Sequence, residues 1–291
     1  MPVLFALLTA FSNAVNVVTQ HKASISAPKR SKGWRFAIYL FRNPLWLFGW
    51  VALVAAFVFQ ALALHNGPIS VVQPLLVSEL VFALVLRWLW IHQAIKPVTW
   101  WSAGVTCAAL AAFIAVAEPS GGSTVPTSRV WVSAAAAIVG CVAVTAALGW
   151  FWRGSAGRRA ALLGASASML WAFVATLIKA TTDTLTQFGV SGMFTHWPVY
   201  ALAAAGLTAE ILNQVALHVG PLSVSQPFIV IVDPIVSIAL SVWIYGETFS
   251  PNAARLAIGA MSFAAMCGAV VVLTRTAPAT MDPDRTPVPA G

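Results

Sequence analysis

The sequence predicts an all-α integral membrane protein of about nine transmembrane helices, built as two inverted-topology repeats joined by a connecting helix. Three observations predict it. First, 59% of the 291 residues are apolar and only 8% are charged, where a soluble domain carries roughly 25% charged residues. So few charges cannot cover a surface in water, and lipid is the solvent that tolerates such a surface. Second, the apolar residues fall into nine runs, each about as long as the ~20 residues that a helix needs to cross the hydrocarbon layer. Third, one fifteen-residue segment occurs twice.

The first run covers about residues 3–20. No Lys or Arg precedes it and a basic cluster follows it, the reverse of a secretory signal, so it is expected as a retained first span. Asn13, Asn16 and Gln20 recur along it at helical spacing and form one polar face. A basic loop follows, with Lys22, Lys29, Arg30, Lys32, Arg35 and Arg42. Spans two to four are expected at about 44–64, 69–91 and 98–117, and the fifth at 130–151, followed by Arg153, Arg158 and Arg159. Spans six to nine are expected at about 160–180, 196–217, 222–244 and 252–274. The units are thus a first repeat over 1–129, a connecting span and basic loop over 130–159, a second repeat over 160–275, and a disordered Pro-rich tail over 276–291.

Orientation follows from the basic loops, which stay cytoplasmic. With nine spans the two loops fall on one side. This predicts a multi-pass protein of the plasma (inner) membrane, N-terminus outside and C-terminus cytoplasmic. The net charge of +8 is therefore read as topological rather than as a nucleic-acid footprint. Cys107, Cys141 and Cys267 lie singly inside apolar runs and are expected as packing residues.

The repeated segment reads ALHNGPISVVQPLLV at 63–77 and ALHVGPLSVSQPFIV at 216–230, identical at ten of fifteen positions without a gap. An odd number of spans separates the copies, so they insert oppositely. Inverted repeats of this kind supply two half-structures that alternate around one central site, as in secondary transporters.

Three carboxylates fall inside predicted spans: Glu79, Glu210 and Asp233. A charge at mid-membrane costs roughly 2.5–3.5 kcal/mol on insertion scales, so it normally faces a cavity or a partner. A carboxylate there can hold a proton or a cation. Glu79 and Asp233 sit near the centres of spans three and eight, although the gap-free alignment sets Glu79 opposite Val232, one residue or about 100° out of register. Lys179 is available to neutralise Glu210, which forms a polar cluster with Asn213 and Gln214. Gln73–Pro74 and Gln226–Pro227 are the repeated pair, and Pro234 follows Asp233. Proline removes a helical hydrogen bond and frees a carbonyl, so Pro74, Pro227 and Pro234 are predicted helix breaks. A freed carbonyl beside a carboxylate offers the oxygen ligands that hard cations prefer. The candidate substrate or coupling-ion residues are therefore Glu79, Asp233, Glu210, Asn13, Asn16, Gln73, Gln226 and Asn213. His65 and His218 sit at the turns and read as interfacial. Trp46, Trp50, Trp88, Trp90, Trp100, Trp101, Trp150, Trp152 and Trp197 lie near span ends and read as an aromatic belt.

The pattern resembles the drug/metabolite transporter (EamA-like) superfamily. The features that carry the likeness are the five-plus-four layout, the first span ending in Lys22, the paired GPISVVQP and GPLSVSQP hairpins, and the YGETFSP turn at Tyr245–Pro251. The nine spans and the basic first loop look most like the NIPA-type magnesium transporter branch. The first half departs from the pattern at 87–94, RWLWIHQA, which holds no Gly-Glu turn.

The resemblance implies a secondary, alternating-access transporter of a small solute, proton- or cation-coupled. A magnesium or other divalent-cation transporter is the first alternative, and a lipid flippase or a non-transporting scaffold the next. The expected partners are the lipid bilayer and a small solute or cation, with no nucleic acid. No phosphate-binding Gly loop, HExxH motif or catalytic triad is present in the sequence, so neither an enzyme nor a cofactor is predicted.

Overall fold

The computed structural model describes residues 1–25, 42–92, 94–120, 122, 126–151, 154–219 and 222–276. Lys29, Arg30, Lys32 and Arg35 of the first basic loop lie outside the described residues, as do Trp152, Arg153, Gly220, Pro221, the side chain of Gln226 and the tail from Ala277.

Among the described residues ten helices follow in order: α1 (Pro2–Ile25), α2 (Pro44–Asn66), α3 (Ile69–Leu76), α4 (Glu79–Ile91), α5 (Pro97–Ala117), α6 (Ser128–Phe151), α7 (Ala156–Thr195), α8 (Pro198–Val219), α9 (Leu222–Tyr245) and α10 (Ala253–Thr276). With α3 and α4 taken as one span, nine segments among the described residues are long and apolar enough to cross a bilayer. The chain is thus a multi-pass, all-helical membrane protein. Its outer faces carry Val51, Val54, Phe57, Val132, Val139 and Met261, a density of exposed apolar side chains that only lipid accommodates.

Local signals set the helix ends. Asn43 caps α2, its Oδ1 accepting from the Leu45 N–H at 2.9 Å, with Pro44 at the first turn where no donor is needed. Asn252 caps α10 through the Ala254 N–H at 2.9 Å. His92 and Glu118 end α4 and α5 in the left-handed region, with φ of 53° and 41°.

Two departures from the predicted spans have physical causes. Helix α7 runs well past residue 180. The polar stretch that follows stays helical, and the Thr182 and Thr184 hydroxyls are satisfied within it by the Ile178 and Ala180 carbonyls, both at 2.8 Å. Gly189, at φ 72°, breaks the run before the chain turns into α8. The third span tightens midway: Val77 and Ser78 make N–H bonds to the carbonyls of Pro74 and Leu75, three residues back, at 3.2 and 3.1 Å. Val77 and Ser78 keep right-handed helical dihedrals, so Pro74 precedes a tightened turn of the span. By contrast α9 stays helical through both Pro227 and Pro234, so the expected breaks there are not interruptions. Near Pro234, Ser168 of α7 donates to the Ile229 carbonyl at 2.7 Å and holds that carbonyl inside the bundle.

Helices pack through small residues. On α1, Ala6, Ala10 and Ala14 are fully buried at four-residue spacing, and α2 answers with Gly49, Ala52 and Ala56. A Cβ at Gly49 would stand 2.8 Å from Thr19 Oγ1, so only glycine permits the approach. Helix α7 is the most deeply buried span and packs against α6, α8 and α9. Cys107 and Cys141 are exposed on α5 and α6 rather than packed, because the outward faces of those helices are the ones that carry them; Cys267 is half-buried.

The connections α2–α3, α5–α6, α7–α8 and α9–α10 gather at one end of the bundle. The ends differ in charge. Among the described residues, Lys22, Arg42, Lys96, Arg158, Arg159 and Arg275 cluster toward the opposite end without a carboxylate, whereas Arg129, Lys179 and Arg255 share the gathered end with Glu118, Asp183 and Glu247.

Overpacking a closed helix contact costs about 1–3 kcal/mol. Gly49→Leu is expected to lower the thermal midpoint of the detergent-purified protein accordingly. Gly140→Ala, where nothing lies within 4 Å of the added methyl, is expected to leave it unchanged or raise it slightly.

Candidate functional site: a clamped hairpin and an aromatic cavity

The α2–α3 turn presents bare backbone groups in a setting with little water to satisfy them. The second half of the chain supplies the partners. Gly246, at φ 64°, ends α9 and turns Glu247 inward. The Glu247 carboxylate is 2% exposed. It accepts from the Ile69 N–H at 2.7 Å, the Ser70 N–H at 3.0 Å and the Ser70 hydroxyl at 2.6 Å. An anion at a helix N-terminus meets both the free donors and the positive end of the helix dipole.

Lys179 of α7 answers at the other side of the same turn. Its Nζ donates to the Leu64 and Gly67 carbonyls at 2.8 and 3.1 Å, at the C-terminal end of α2, and sits 5.5 Å from the Tyr245 ring centroid. Tyr245 in turn donates its hydroxyl to the Thr176 carbonyl at 2.8 Å. Around this clamp, Ser120 and Thr248 exchange backbone hydrogen bonds at 2.9 and 3.3 Å, and Arg255 pairs with Glu118 at 2.6 Å.

Beside the clamp a cavity of about 800 Å³ enters the bundle, within the range of small-molecule sites. Its wall includes Trp131, Phe173, Lys179, Asp183, Trp197 and Tyr245. Trp131 is the centre of an aromatic cluster, edge-on to Trp197 at 5.1 Å, Tyr245 at 6.2 Å and Phe173 at 6.3 Å between centroids. Asp183 faces His65 across a 3.3 Å contact. The cavity therefore offers flat apolar rings, one anchored ammonium and one carboxylate.

None of the sequence-predicted candidates lines this cavity. Spans five to eight line it, so the connecting span contributes a wall while spans one and three do not. The predicted residues sit deeper. Glu79, half-buried, starts α4 near the middle of the third span, with the Asn13 side chain of α1 in hydrogen-bonding reach. Asp233, also half-buried, accepts from the Ser237 hydroxyl at 3.0 Å. Each acid lies about 15–18 Å along its span from the cavity end, at 1.5 Å per residue. Asn16 accepts from the Gln20 amide at 2.7 Å on α1. Gln73 is 2% exposed on α3, and its amide nitrogen has no partner.

Glu210 accepts from Gln214 at 2.6 Å, and Asn213 is half-buried beside them. Lys179 does not neutralise Glu210, because the α2 carbonyls and Tyr245 hold it at the bundle end while Glu210 lies twelve residues into α8. Among the described residues no group of three or more His, Cys, Asp or Glu side chains could hold a metal ion. Sequence reasoning missed Lys179, Asp183, Trp131 and Glu247 as a group. Glu247 was visible within the YGETFSP turn, but its target 177 residues away was not.

No family model matches the chain, and no solved structure matches it. The chain is similar to an uncharacterized protein of Corynebacterium glutamicum, with 28% identity over 257 residues that make up 86% of each chain. The likeness therefore spans most of both proteins rather than one hairpin.

Glu247→Ala leaves two backbone donors and the Ser70 hydroxyl buried without an acceptor. It is expected to cost about 3–5 kcal/mol of unfolding free energy, the scale of breaking a buried charged contact. Ser70→Ala is expected to cost about 1 kcal/mol. Denaturant unfolding in detergent measures both, and near-equal midpoints for Glu247→Ala and the wild type would contradict the clamp.

Proposed function

We propose that the protein is a secondary transporter of a small solute, with Glu79 and Asp233 as its proton- or cation-coupling groups. Two four-span units, 1–129 and 160–275, insert oppositely and exchange access to a site between them. The membrane is the plasma (inner) membrane, with the N-terminus outside and the C-terminus in the cytoplasm.

The observation that carries this reading is the pair of half-buried carboxylates at the centres of the third and eighth spans. An ionisable group at that depth is retained for a pathway or a relay. The pairing gains support from the helix ends. Glu79 lies thirteen residues before left-handed His92, and Asp233 thirteen residues before left-handed Gly246. The acids thus keep one register with the helix ends, and the single-residue offset arises between them and the GPxS turns. The tightened turn at Val77–Ser78 falls in that interval. Discontinuous or proline-bearing spans in matching halves mark transporter binding sites.

The charge difference between the two ends supports the orientation, since basic residues concentrate in cytoplasmic connections. In this orientation the aromatic cavity opens outward, and the Glu247–Lys179 clamp stands at its mouth. Inward access requires the halves to shift about the mid-membrane acids.

A thermal-unfolding screen of the purified protein against amino acids, divalent cations and amphiphilic organic solutes identifies the ligand by the stabilisation that mass action gives. Uptake of that solute into proteoliposomes then tests the coupling. Glu79→Gln and Asp233→Asn are expected to melt like the wild type and to lose gradient-driven accumulation by about tenfold or more, as loss of a charge-assisted contact implies. Accumulation at the wild-type rate in both variants would remove the acids from the mechanism.

A further inference from the structure

The end of the bundle opposite the cavity holds a second polar site, built where α1 and α4 run side by side. Phe11 meets Phe82 edge-on at 5.7 Å, Val18 packs in one cluster with Ala83 and Leu86, and Lys22 Nζ approaches the Trp90 carbonyl at 3.5 Å. This register sets His21 and Arg87 against each other on the facing helices, within electrostatic reach. His21 Nε2 and Arg87 Nε are both buried and both lack a hydrogen-bond partner.

Buried polar atoms without partners are few in folded proteins, and each calls for an explanation. Two of the four among the described residues belong to His21 and Arg87, on neighbouring helices. No described carboxylate pairs with Arg87: the ion pairs among described residues are His65–Asp183 and Arg255–Glu118, both at the far end. The nearby Gln20 amide nitrogen is turned to Asn16. An arginine carried into a span without a counter-charge is costly, and an imidazole beside it adds no anion. What the pair lacks is a ligand with negative charge and several acceptor oxygens.

We propose that His21 and Arg87 form an anion site that takes a phosphate group. A guanidinium N–H and an imidazole N–H are donors of the kind that phosphate oxygens accept, and the fixed charge of Arg87 favours an anion beside it. Arg87 lies four residues, or about 6 Å, before the end of its span. Trp88, Trp90 and Trp100 stand at the same level, with Trp88 and Trp100 edge-on at 5.9 Å. Tryptophan at that depth marks the headgroup layer, so the phosphate comes either from an anionic lipid headgroup or from free phosphate on that side. The site is independent of the cavity and of the transport reading.

The test uses thermal unfolding of the purified full chain in a neutral maltoside detergent. One arm titrates dioleoylphosphatidylglycerol against uncharged dioleoylglycerol. The other titrates potassium phosphate against potassium chloride at equal ionic strength. A rise in melting temperature with phosphatidylglycerol but not with dioleoylglycerol assigns the site to a lipid headgroup. A rise with phosphate over chloride assigns it to the free anion. In either case Arg87→Gln and His21→Gln are expected to shift the half-saturating concentration upward by about tenfold, the loss of one charge-assisted hydrogen bond. No stabilisation in either arm would overturn the site, as would stabilisation that both variants retain at the wild-type concentration. If Arg87→Gln fails to fold, His21→Gln decides alone by the same criterion.

Discussion

The Glu247 carboxylate against the start of α3, with Lys179 against the end of α2, is the contact on which the rest of the bundle depends. Lipid leaves no bare backbone group unpunished, and the GPIS turn exposes donors on one side and acceptors on the other. Both are answered by residues from the second half of the chain, at separations of more than a hundred positions. One anion meets the positive end of a helix and one cation meets the negative end of the helix before it. The turn is thereby fixed to α7 and α9, and the aromatic wall that shares Tyr245 with the clamp is fixed with it.

A second constraint operates at mid-membrane. The third span and the eighth carry the same Gln-Pro pair but respond differently. The third tightens to three-residue hydrogen bonds at Val77–Ser78, just before Glu79. The eighth stays continuous and takes Asp233 along its length, stabilised by Ser237. The two acids are thus chemically alike and structurally unlike.

The span count and most span limits were legible in the sequence, because composition and run length in lipid leave helices as the only choice. The tightened turn at Val77–Ser78 was half legible. Pro74 signalled it, but the same signal at Pro227 and Pro234 gave continuous helix. Residues 181–188 read as a polar connection, yet they continue α7, with their threonine hydroxyls satisfied by its carbonyls. The site divides in the same way. Glu79 and its neighbour Asn13 were visible as rare polar residues in apolar runs. The cavity was not, because Trp131, Phe173 and Trp197 look like ordinary span residues until folding brings them together. Arg87 and His21 escaped notice for a related reason: a basic residue near a span end reads as topology until its missing partner is seen.

The most direct test of the account is the sidedness of the two GP turns. In a cysteine-free background, Asn66→Cys and His218→Cys are labelled with a membrane-impermeant maleimide in intact cells and in inverted vesicles. Two oppositely inserted halves predict that Asn66→Cys labels only in intact cells and His218→Cys only in inverted vesicles. Labelling of both positions from the same face would contradict the account.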